Sequence, residues 1–289
     1  MQLLLALLLL AAGQVFATPL QSTYKGLVLN ANLIEPKHSP DAMPTDRIFL
    51  LLHGTWGHNQ MEIMSGLQDS LAAAGQTSVA INLSLGQNDR QGFLSCDAPI
   101  IANHAGAAAE IDHWVHFLAL RWPHIVLVGH SRGGNQVMLY NQQFGSADVE
   151  ALVLLAPMTW NQASATQDYT DKYQVNLNEV LDKARQDPQK MFIADVLHCP
   201  QASVSASSLL SYYGHQPNRN TPDLLANTML RTLVFEGTED PLAKEFEPQT
   251  EKFAANKHVT VRWIQGSDHF FRDLYLDDVV EQTLQWLHQ

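Results

Sequence analysis

The chain has 289 residues, of which 46% are hydrophobic and 16% are charged. This length and composition are typical of a globular protein with one large domain or two small ones, and they exclude extensive disorder. The formal net charge is −12 at pH 7, so the average surface repels phosphate backbones and we expect no nucleic-acid partner.

The chain begins with an apolar run from Leu3 to Ala12, followed by Val15-Phe16-Ala17. Small residues three positions and one position before a cut suit signal peptidase, and the run is shorter than the roughly 20 apolar residues that span a bilayer. We therefore expect residues 1–17 to be a signal peptide cleaved after Ala17, and residues 18–289 to be exported to the periplasm or secreted, without a stable membrane span. The run has no Lys or Arg before it, which leaves an uncleaved anchor as the alternative.

Short apolar runs of strand length alternate with helical patterns along the chain. After a strand or hairpin at Tyr24–Ile34, the strand patterns are Arg47–Leu52, Ser78–Leu83, Ile125–Val128, Ala151–Leu155, Thr232–Phe235 and Val259–Ile264. The helical patterns between and after them are Met61–Ala74, Asn103–Arg121, Asn135–Phe144, Leu242–Ala255 and Asp273–His288. Strands that are apolar on both faces are typical of a parallel sheet covered on both sides by helices, so the pattern predicts a doubly wound, mostly parallel α/β fold.

The alternation breaks between Met158 and Leu230, where three segments have helical patterns. These segments are Asn176–Gln186, Pro188–Val196 and Ser205–Tyr213. Unstructured loops of this length are uncommon inside a compact domain. We therefore expect residues 158–230 to form a helical cap over the ends of the strands.

A nucleophile motif, Gly129-His130-Ser131-Arg132-Gly133, follows the strand pattern Ile125–Val128 and precedes a helical pattern. The strand–turn–helix context is the one that a G-x-S-x-G elbow requires, because its glycines allow the strained turn that exposes the serine hydroxyl. The sequence thus predicts Ser131 as a catalytic nucleophile.

A serine hydroxyl needs a base and an acid that orients the base. After the strand pattern Thr232–Phe235 comes a turn with Glu239 and Asp240, and after Val259–Ile264 comes a turn with His269. This order and placement predict a triad of Ser131, Asp240 and His269, with Glu239 as the substitute acid.

Two backbone amides are needed to stabilise the tetrahedral oxyanion. We expect one from Arg132, directly after the nucleophile, and the other from Thr55 in His53-Gly54-Thr55-Trp56-Gly57, with Trp56 as the alternative.

Four segments, in this order and at these strand ends, resemble the α/β-hydrolase superfamily: L-L-H-G-T-W-G, G-H-S-R-G-G, G-T-E-D and S-D-H-F. The resemblance covers roughly residues 47–289 outside the cap. It implies an eight-stranded, mostly parallel sheet, a triad at the carboxyl ends of the strands, and ester, thioester or amide substrates.

Cys96 and Cys199 are the only cysteines. An even count in an exported chain favours a disulfide, and two separate buried thiols are the alternative. The segment from Leu83 to Arg90, which leads to Cys96, is either a substrate-contact loop or a polar loop anchored to the cap by that bridge.

The sequence predicts no cofactor and no metal. Glu110, His113 and His116 would share a helix face, but they lack the spacing of a known ligand set and suit a solvated face better. His58 is assigned either to the pocket or to the surface, and Tyr212-Tyr213 to the core of the cap.

The function predicted from these residues is a carboxylesterase-like serine hydrolase that acts on a small-molecule or lipid-like acyl substrate, with no protein partner inferred. Two alternatives stay open. One is an acyltransferase that uses the same triad, and the other is a non-catalytic binding protein on the same scaffold.

Overall fold

The computed structural model describes residues 17–36, 46–216 and 218–289. The predicted signal peptide therefore lies outside the described residues, apart from Ala17. Within the described part of the chain, no helix is both long enough and apolar enough to cross a membrane.

A central sheet of eight strands organises the molecule, in the order β1-β2-β4-β3-β5-β6-β9-β10. The β1–β2 and β2–β4 pairs are antiparallel, and the remaining neighbours are parallel. This confirms the predicted sheet and shows that the Tyr24–Ile34 region belongs to a hairpin. The strands are β1 (Thr18–Tyr24), β2 (Leu27–Ile34), β3 (Arg47–Leu52), β4 (Thr77–Ile81), β5 (His124–His130), β6 (Val149–Leu155), β9 (Thr232–Gly237) and β10 (Val259–Ile264).

Helices cover both faces of the sheet, which explains why its strands are apolar on both sides. On one face, Phe49 and Leu51 pack with α1 (Glu62–Ala73) and α9 (Leu274–Leu287). On the other face, Ile48, Leu50 and Leu52 pack with α2 (Ala107–Ala119) and α3 (Arg132–Gln143). Consecutive residues of β3 thus enter opposite apolar layers, as in a doubly wound α/β fold.

An inserted segment leaves the sheet after β6 and returns at β9, although these two strands are neighbours. Its buried Leu177, Leu181 and Leu209 belong to the same apolar cluster as α2 and α3, so the segment packs directly on the main core. It comprises α4 (Gln162–Tyr173), α5 (Leu177–Gln186), β7 (Met191–Val196), β8 (Cys199–Ser205), α6 (Ala206–Tyr213) and α7 (Thr221–Leu225).

Two predicted helices differ from the structure. The helix predicted at Pro188–Val196 is wrong, since Met191–Val196 is a strand that pairs antiparallel with β8. The helix predicted at Leu242–Ala255 is longer than the observed one. The α-helix α8 spans only Ala243–Phe246 and is followed by a 3₁₀ turn at Glu247–Lys252. Pro248 lies in that turn, and because proline has no backbone N–H it cannot donate the hydrogen bond that would continue the α-helix.

Cys96 and Cys199 form a disulfide, with their Cα atoms 5.3 Å apart, so the alternative of two free thiols is excluded. The bond joins the loop after β4 to the first residue of β8. Ile100 in that loop also donates its amide to the carbonyl of Ser203 at 2.8 Å, and its carbonyl accepts the amide of Ser205 at 2.9 Å. The inserted segment is thereby tied to the main domain both covalently and by hydrogen bonds.

Candidate active site

Ser131 occupies the turn between β5 and α3 with φ 54° and ψ −121°. A positive φ at a non-glycine residue is strained and persists only where its surroundings enforce it. Here the Ser131 amide donates to Leu155 at 2.9 Å, and the Ser131 carbonyl accepts the amides of Gly134 and Met158 at 3.0 Å each. The turn is thus fixed by the end of β6 and by the residues that follow it.

Two glycines of the motif permit backbone contacts that no side chain would allow. A Cβ atom on Gly129 would lie 2.6 Å from the carbonyl oxygen of Gly133, and one on Gly133 would lie 2.5 Å from the carbonyl oxygen of His53. The first turn of α3 therefore packs against the ends of β5 and β3, and Ser131 lies beside the loop that follows β3.

Asp240 and His269 lie in the turns after β9 and β10, which are adjacent parallel strands in register. Their side chains meet at 2.6 Å, between His269 Nδ1 and Asp240 Oδ2. Asp240 is 2% exposed, and its other oxygen accepts the amide of Leu242 at 2.8 Å. Glu239, the substitute acid, is exposed.

The environment of Asp240 favours its charged form. Burial acts to raise the pKa of this carboxyl, but the hydrogen bonds from His269 and from the Leu242 amide outweigh burial and lower the pKa. In the neutral tautomer that donates its Nδ1–H to Asp240, Nε2 of His269 carries the lone pair that can accept a proton.

Ser131, Asp240 and His269 line one cavity of about 270 Å³. The inserted segment forms a wall of this cavity through residues before and within α4, including Met158, Trp160 and Asn161. Within the described residues, the Ser131 hydroxyl makes no hydrogen bond, either to His269 or to another residue.

Arg132 and Thr55, whose backbone amides are the predicted oxyanion donors, line the same cavity. Arg132 is the first residue of α3, where an amide has no partner inside the helix, and in the described part of the chain neither amide donates a backbone hydrogen bond. Trp56, the alternative donor, has φ 50°, and its indole donates to the Tyr212 hydroxyl at 2.8 Å, away from the cavity.

The side chain of Arg132 makes contacts that the sequence did not predict. Its Nε donates to Thr55 Oγ1 at 2.9 Å, and its Nη1 lies 3.4 Å from Nδ1 of His104. Burial lowers the pKa of His104 well below its ordinary value, so its Nδ1 accepts from Arg132 and its Nε2 donates to Asn135 Oδ1 at 2.8 Å. Arg132 thus connects α3 to the loop that contains Thr55.

Two further buried histidines support the site, and sequence reasoning assigned a role to neither. Burial lowers the pKa of both His130 and His53 to about 3. Neutral His130 donates from Nε2 to the carbonyl of His269 at 2.9 Å. His53 donates from Nδ1 to Gly54 at 2.8 Å, and its Nε2 accepts the amide of Leu83 at 3.3 Å. Both fix loops of the site without adding charge.

Glu236, at the end of β9, was also missed. It is 1% exposed, it lines the cavity, and its Oε1 has no hydrogen-bond partner among the described residues. Burial, with a smaller contribution from Asp240, raises the pKa of Glu236 to about 9. The cavity therefore holds a neutral carboxyl group beside the ionised Asp240.

Other residues singled out in the sequence lie apart from the cavity. The segment from Leu83 to Arg90 does not line it; there Arg90 donates from Nε to the carbonyl of Leu83 at 2.7 Å. His58 packs edge-on against Phe93. Tyr212 and Tyr213 are both buried. The Tyr213 hydroxyl accepts a hydrogen bond from the amide of Leu197 at 2.6 Å.

The residues that were considered as metal ligands each make a hydrogen bond with a different partner. Glu110 accepts the amide of Ser84 at 2.7 Å, and His113 Nε2 lies 2.7 Å from the Ser22 hydroxyl. His116 Nδ1 lies 2.9 Å from the carbonyl of Asp112. Among the described residues, the one group with metal-ligand spacing is Cys96, His198 and Cys199, but its two sulfur atoms are bonded to each other.

Comparisons with known proteins agree on the scaffold. A family profile described as "Alpha/beta hydrolase family" matches residues 49–282. A comparison with curated protein sequences gives no match.

Several solved structures are similar over nearly the whole chain. Est1E from Butyrivibrio proteoclasticus with bound ferulic acid has a TM-score of 0.65 at 18% identity, covering 93% of this chain and 100% of that chain. A bromoperoxidase from Bacillus anthracis has a TM-score of 0.60 at 14% identity, with 94% and 100% covered. An alpha-beta serine hydrolase homologue from Coxiella burnetii has a TM-score of 0.57 at 14% identity, with 95% and 100% covered. At such identities the likeness shows the fold alone.

Proposed function

The chain belongs to the alpha/beta hydrolase family, and on that premise we propose that it is a serine hydrolase with carboxylesterase-like activity. In this proposal it cleaves an ester, thioester or amide through an acyl-enzyme on Ser131. The observation that carries the proposal is the 2.6 Å bond between His269 and Asp240 at the edge of a cavity that Ser131 also lines.

The first half of the reaction forms the acyl-enzyme. The Ser131 Oγ attacks the carbonyl carbon of the substrate while His269 Nε2 takes the hydroxyl proton, and Asp240 stabilises the resulting imidazolium. The negative charge on the carbonyl oxygen is stabilised by the amides of Arg132 and Thr55. Collapse of the intermediate breaks the bond to the leaving group, which receives the proton from His269.

The second half releases the acyl group. Water, deprotonated by His269, attacks the acyl carbon, and the bond to Ser131 Oγ breaks as the serine recovers its proton. The side-chain bond from Arg132 to Thr55 supports the choice of the Thr55 amide, because it fixes this loop beside the nucleophile before substrate arrives.

The disulfide supports an extracytoplasmic location in the same proposal. Disulfides persist in oxidising compartments and are rare in reducing ones. A protein that keeps the Cys96–Cys199 bond therefore suits the periplasm or the exterior of the cell.

The proposal is tested with purified Ser131→Ala and a short-chain p-nitrophenyl ester. We expect the variant to lose at least about 10³-fold in kcat because the nucleophile is gone, while its circular dichroism is unchanged. Ser164→Ala is the matched control, because Ser164 lines the same cavity without a role in the triad. Turnover by Ser131→Ala at the wild-type rate would contradict the proposal.

A further inference from the structure

The charged side chains that line the cavity are mostly acidic. They comprise one guanidinium, one imidazole and four carboxyl groups, which belong to Asp168, Glu236, Asp240 and Glu245. The guanidinium of Arg132 is already engaged with Thr55 and stacks over the Tyr212 ring at 5.3 Å. The cavity therefore offers little to an anionic substrate group.

Three of the four carboxyl groups are not needed for the proposed triad. The Asp240 carboxylate is bonded to His269, whereas within the described residues the side chains of Asp168 and Glu236 make no hydrogen bond or ion pair. The Glu245 carboxylate accepts one hydrogen bond, from the Thr159 hydroxyl at 3.0 Å. Asp168 and Glu245 are exposed and lie at the mouth, while the buried Glu236 lies at the bottom.

Glu236 is the observation that points to a ligand. A buried polar group without a partner is destabilising, so such a group in a cavity points to a ligand that would supply the partner. The Oε1 of Glu236 has no donor within the described part of the chain. Whether the carboxyl is neutral or charged, this oxygen accepts a hydrogen bond, so an N–H group in the cavity would satisfy it.

We assign Glu236 to the acyl side of the substrate. In the proposed reaction the leaving group takes its proton from His269 and departs, whereas the acyl group stays attached to Ser131 through both halves. A buried anchor at the bottom of the cavity suits the part that stays.

We propose that the cavity is specific for acyl groups that carry a cationic ammonium, which passes the carboxylates of Asp168 and Glu245 and donates a hydrogen bond to Glu236. The inference rests on the proposed hydrolase function of Ser131. The net charge of −12 acts in the same direction, because a negative surface around a negative cleft raises the local concentration of cations.

The test compares three p-nitrophenyl esters of similar length: 6-aminohexanoate, which is cationic, heptanoate, which is neutral, and the adipate monoester, which is anionic. We expect kcat/KM for the aminohexanoate to exceed that for the heptanoate by about tenfold, equivalent to one charge-assisted hydrogen bond. The adipate monoester is expected to be the poorest substrate. The preference should shrink as salt is added, because the carboxylates at the mouth are exposed.

Variants of the cavity residues show which side chains cause the preference for the cationic ester. Asp168→Asn with Glu245→Gln, and separately Glu236→Leu, should each lower the ratio of kcat/KM for the aminohexanoate to kcat/KM for the heptanoate, the first by removing the exposed carboxylates and the second by removing the buried acceptor. The control is Glu239→Gln, which removes an exposed acid outside the cavity and should leave the ratio unchanged.

The outcomes separate the two proposals. Wild-type protein that hydrolyses heptanoate and aminohexanoate equally well, through Ser131, overturns the cationic specificity and keeps the hydrolase. A cationic preference that survives in all the cavity variants also overturns it. Failure of the wild type to hydrolyse any of the three esters overturns both proposals. Hydrolysis that is unchanged in Ser131→Ala also overturns both.

Discussion

Two buried carboxyl groups four positions apart in the chain, Glu236 and Asp240, have pKa values shifted in opposite directions. Burial raises the pKa of Glu236 to about 9 because nothing compensates for the lost water. For Asp240 the bonds from His269 and the Leu242 amide reverse the effect of burial, and the pKa is lowered. The difference between the two residues is a difference in hydrogen bonds, which the sequence does not encode locally.

The raised pKa of Glu236 makes a prediction about stability. A carboxyl group that binds its proton more tightly in the folded protein stabilises the fold most below its ordinary pKa of 4.5, and it loses that contribution as the pH rises towards 9. Glu236→Gln removes this titration. We expect the variant to gain about 1–3 kcal/mol in free energy of unfolding over the wild type at pH 8, but much less at pH 5.

Urea unfolding at pH 5 and pH 8 measures the effect, with the exposed Glu239→Gln as control. A difference between Glu236→Gln and wild type that is the same at both pH values would show that the carboxyl does not titrate in this range.

At the scale of single residues, the sequence predicts the groups that follow from motif and order. Ser131, Asp240 and His269 were predicted because each lies in a recognisable turn after a strand. Glu236, His53 and the Arg132 side chain were not, because their contacts join loops that are far apart in the chain. His130 lies inside the nucleophile motif, but its bond to the loop of His269 is visible only in the folded chain.

At the scale of elements, the contact between α3 and β3 depends on Gly133. A Cβ at this position would lie 2.5 Å from the carbonyl of His53 and 2.7 Å from that of Leu52, and both are backbone atoms that cannot rotate away. We expect Gly133→Ala to separate the nucleophile turn from the Thr55 loop.

The expected result for Gly133→Ala is a fall in kcat of at least about tenfold, accompanied by a loss of about 1–3 kcal/mol in stability from overpacking. Ester turnover and thermal unfolding measure these effects. Gly106→Ala is the matched control, since a Cβ there meets nothing closer than 3.4 Å. If Gly133→Ala matched Gly106→Ala in both measurements, the proposed role of this contact would be wrong.

The central sheet strands were predictable because a strand buried on both faces is continuously apolar, and β3 was predicted with its observed ends. β7 was not predicted as a strand, because its short sequence suits either a helix or a strand. That sequence has Met191, Phe192 and Ile193 beside Ala194 and Asp195. Its strand conformation depends on pairing with β8, which lies in a segment for which the sequence predicted no strand.

At the scale of the whole molecule, the Cys96–Cys199 bond closes a loop with a sequence separation of 103 residues. Closing a loop of this length restricts the unfolded chain, and the resulting stabilisation is about 3–5 kcal/mol. We expect the double variant Cys96→Ala, Cys199→Ala to unfold at a correspondingly lower urea concentration than the wild type.

Reduction of the wild type with dithiothreitol should lower its midpoint in urea to near that of the double variant, and it should leave the double variant unchanged. Equal midpoints for oxidised wild type and double variant would contradict the role given to the bond.

The overall architecture follows from the alternation of elements and from the four motif segments, and the family match over residues 49–282 agrees with it. The arrangement of the inserted segment did not follow, because its core is shared with α2 and α3 and its hairpin forms against a distant loop. In the proposed function, substrate choice depends on this segment and on Glu236, whose place in the cavity is visible only in the folded chain.

The central claim is that Ser131 is the nucleophile. Its most direct test is mass spectrometry of the protein after reaction with a fluorophosphonate, which bonds covalently to activated serines. The account predicts one adduct per chain, on the peptide that contains Ser131, and none on Ser131→Ala. An adduct on another serine, or wild-type protein that stays unlabelled while folded, would contradict it.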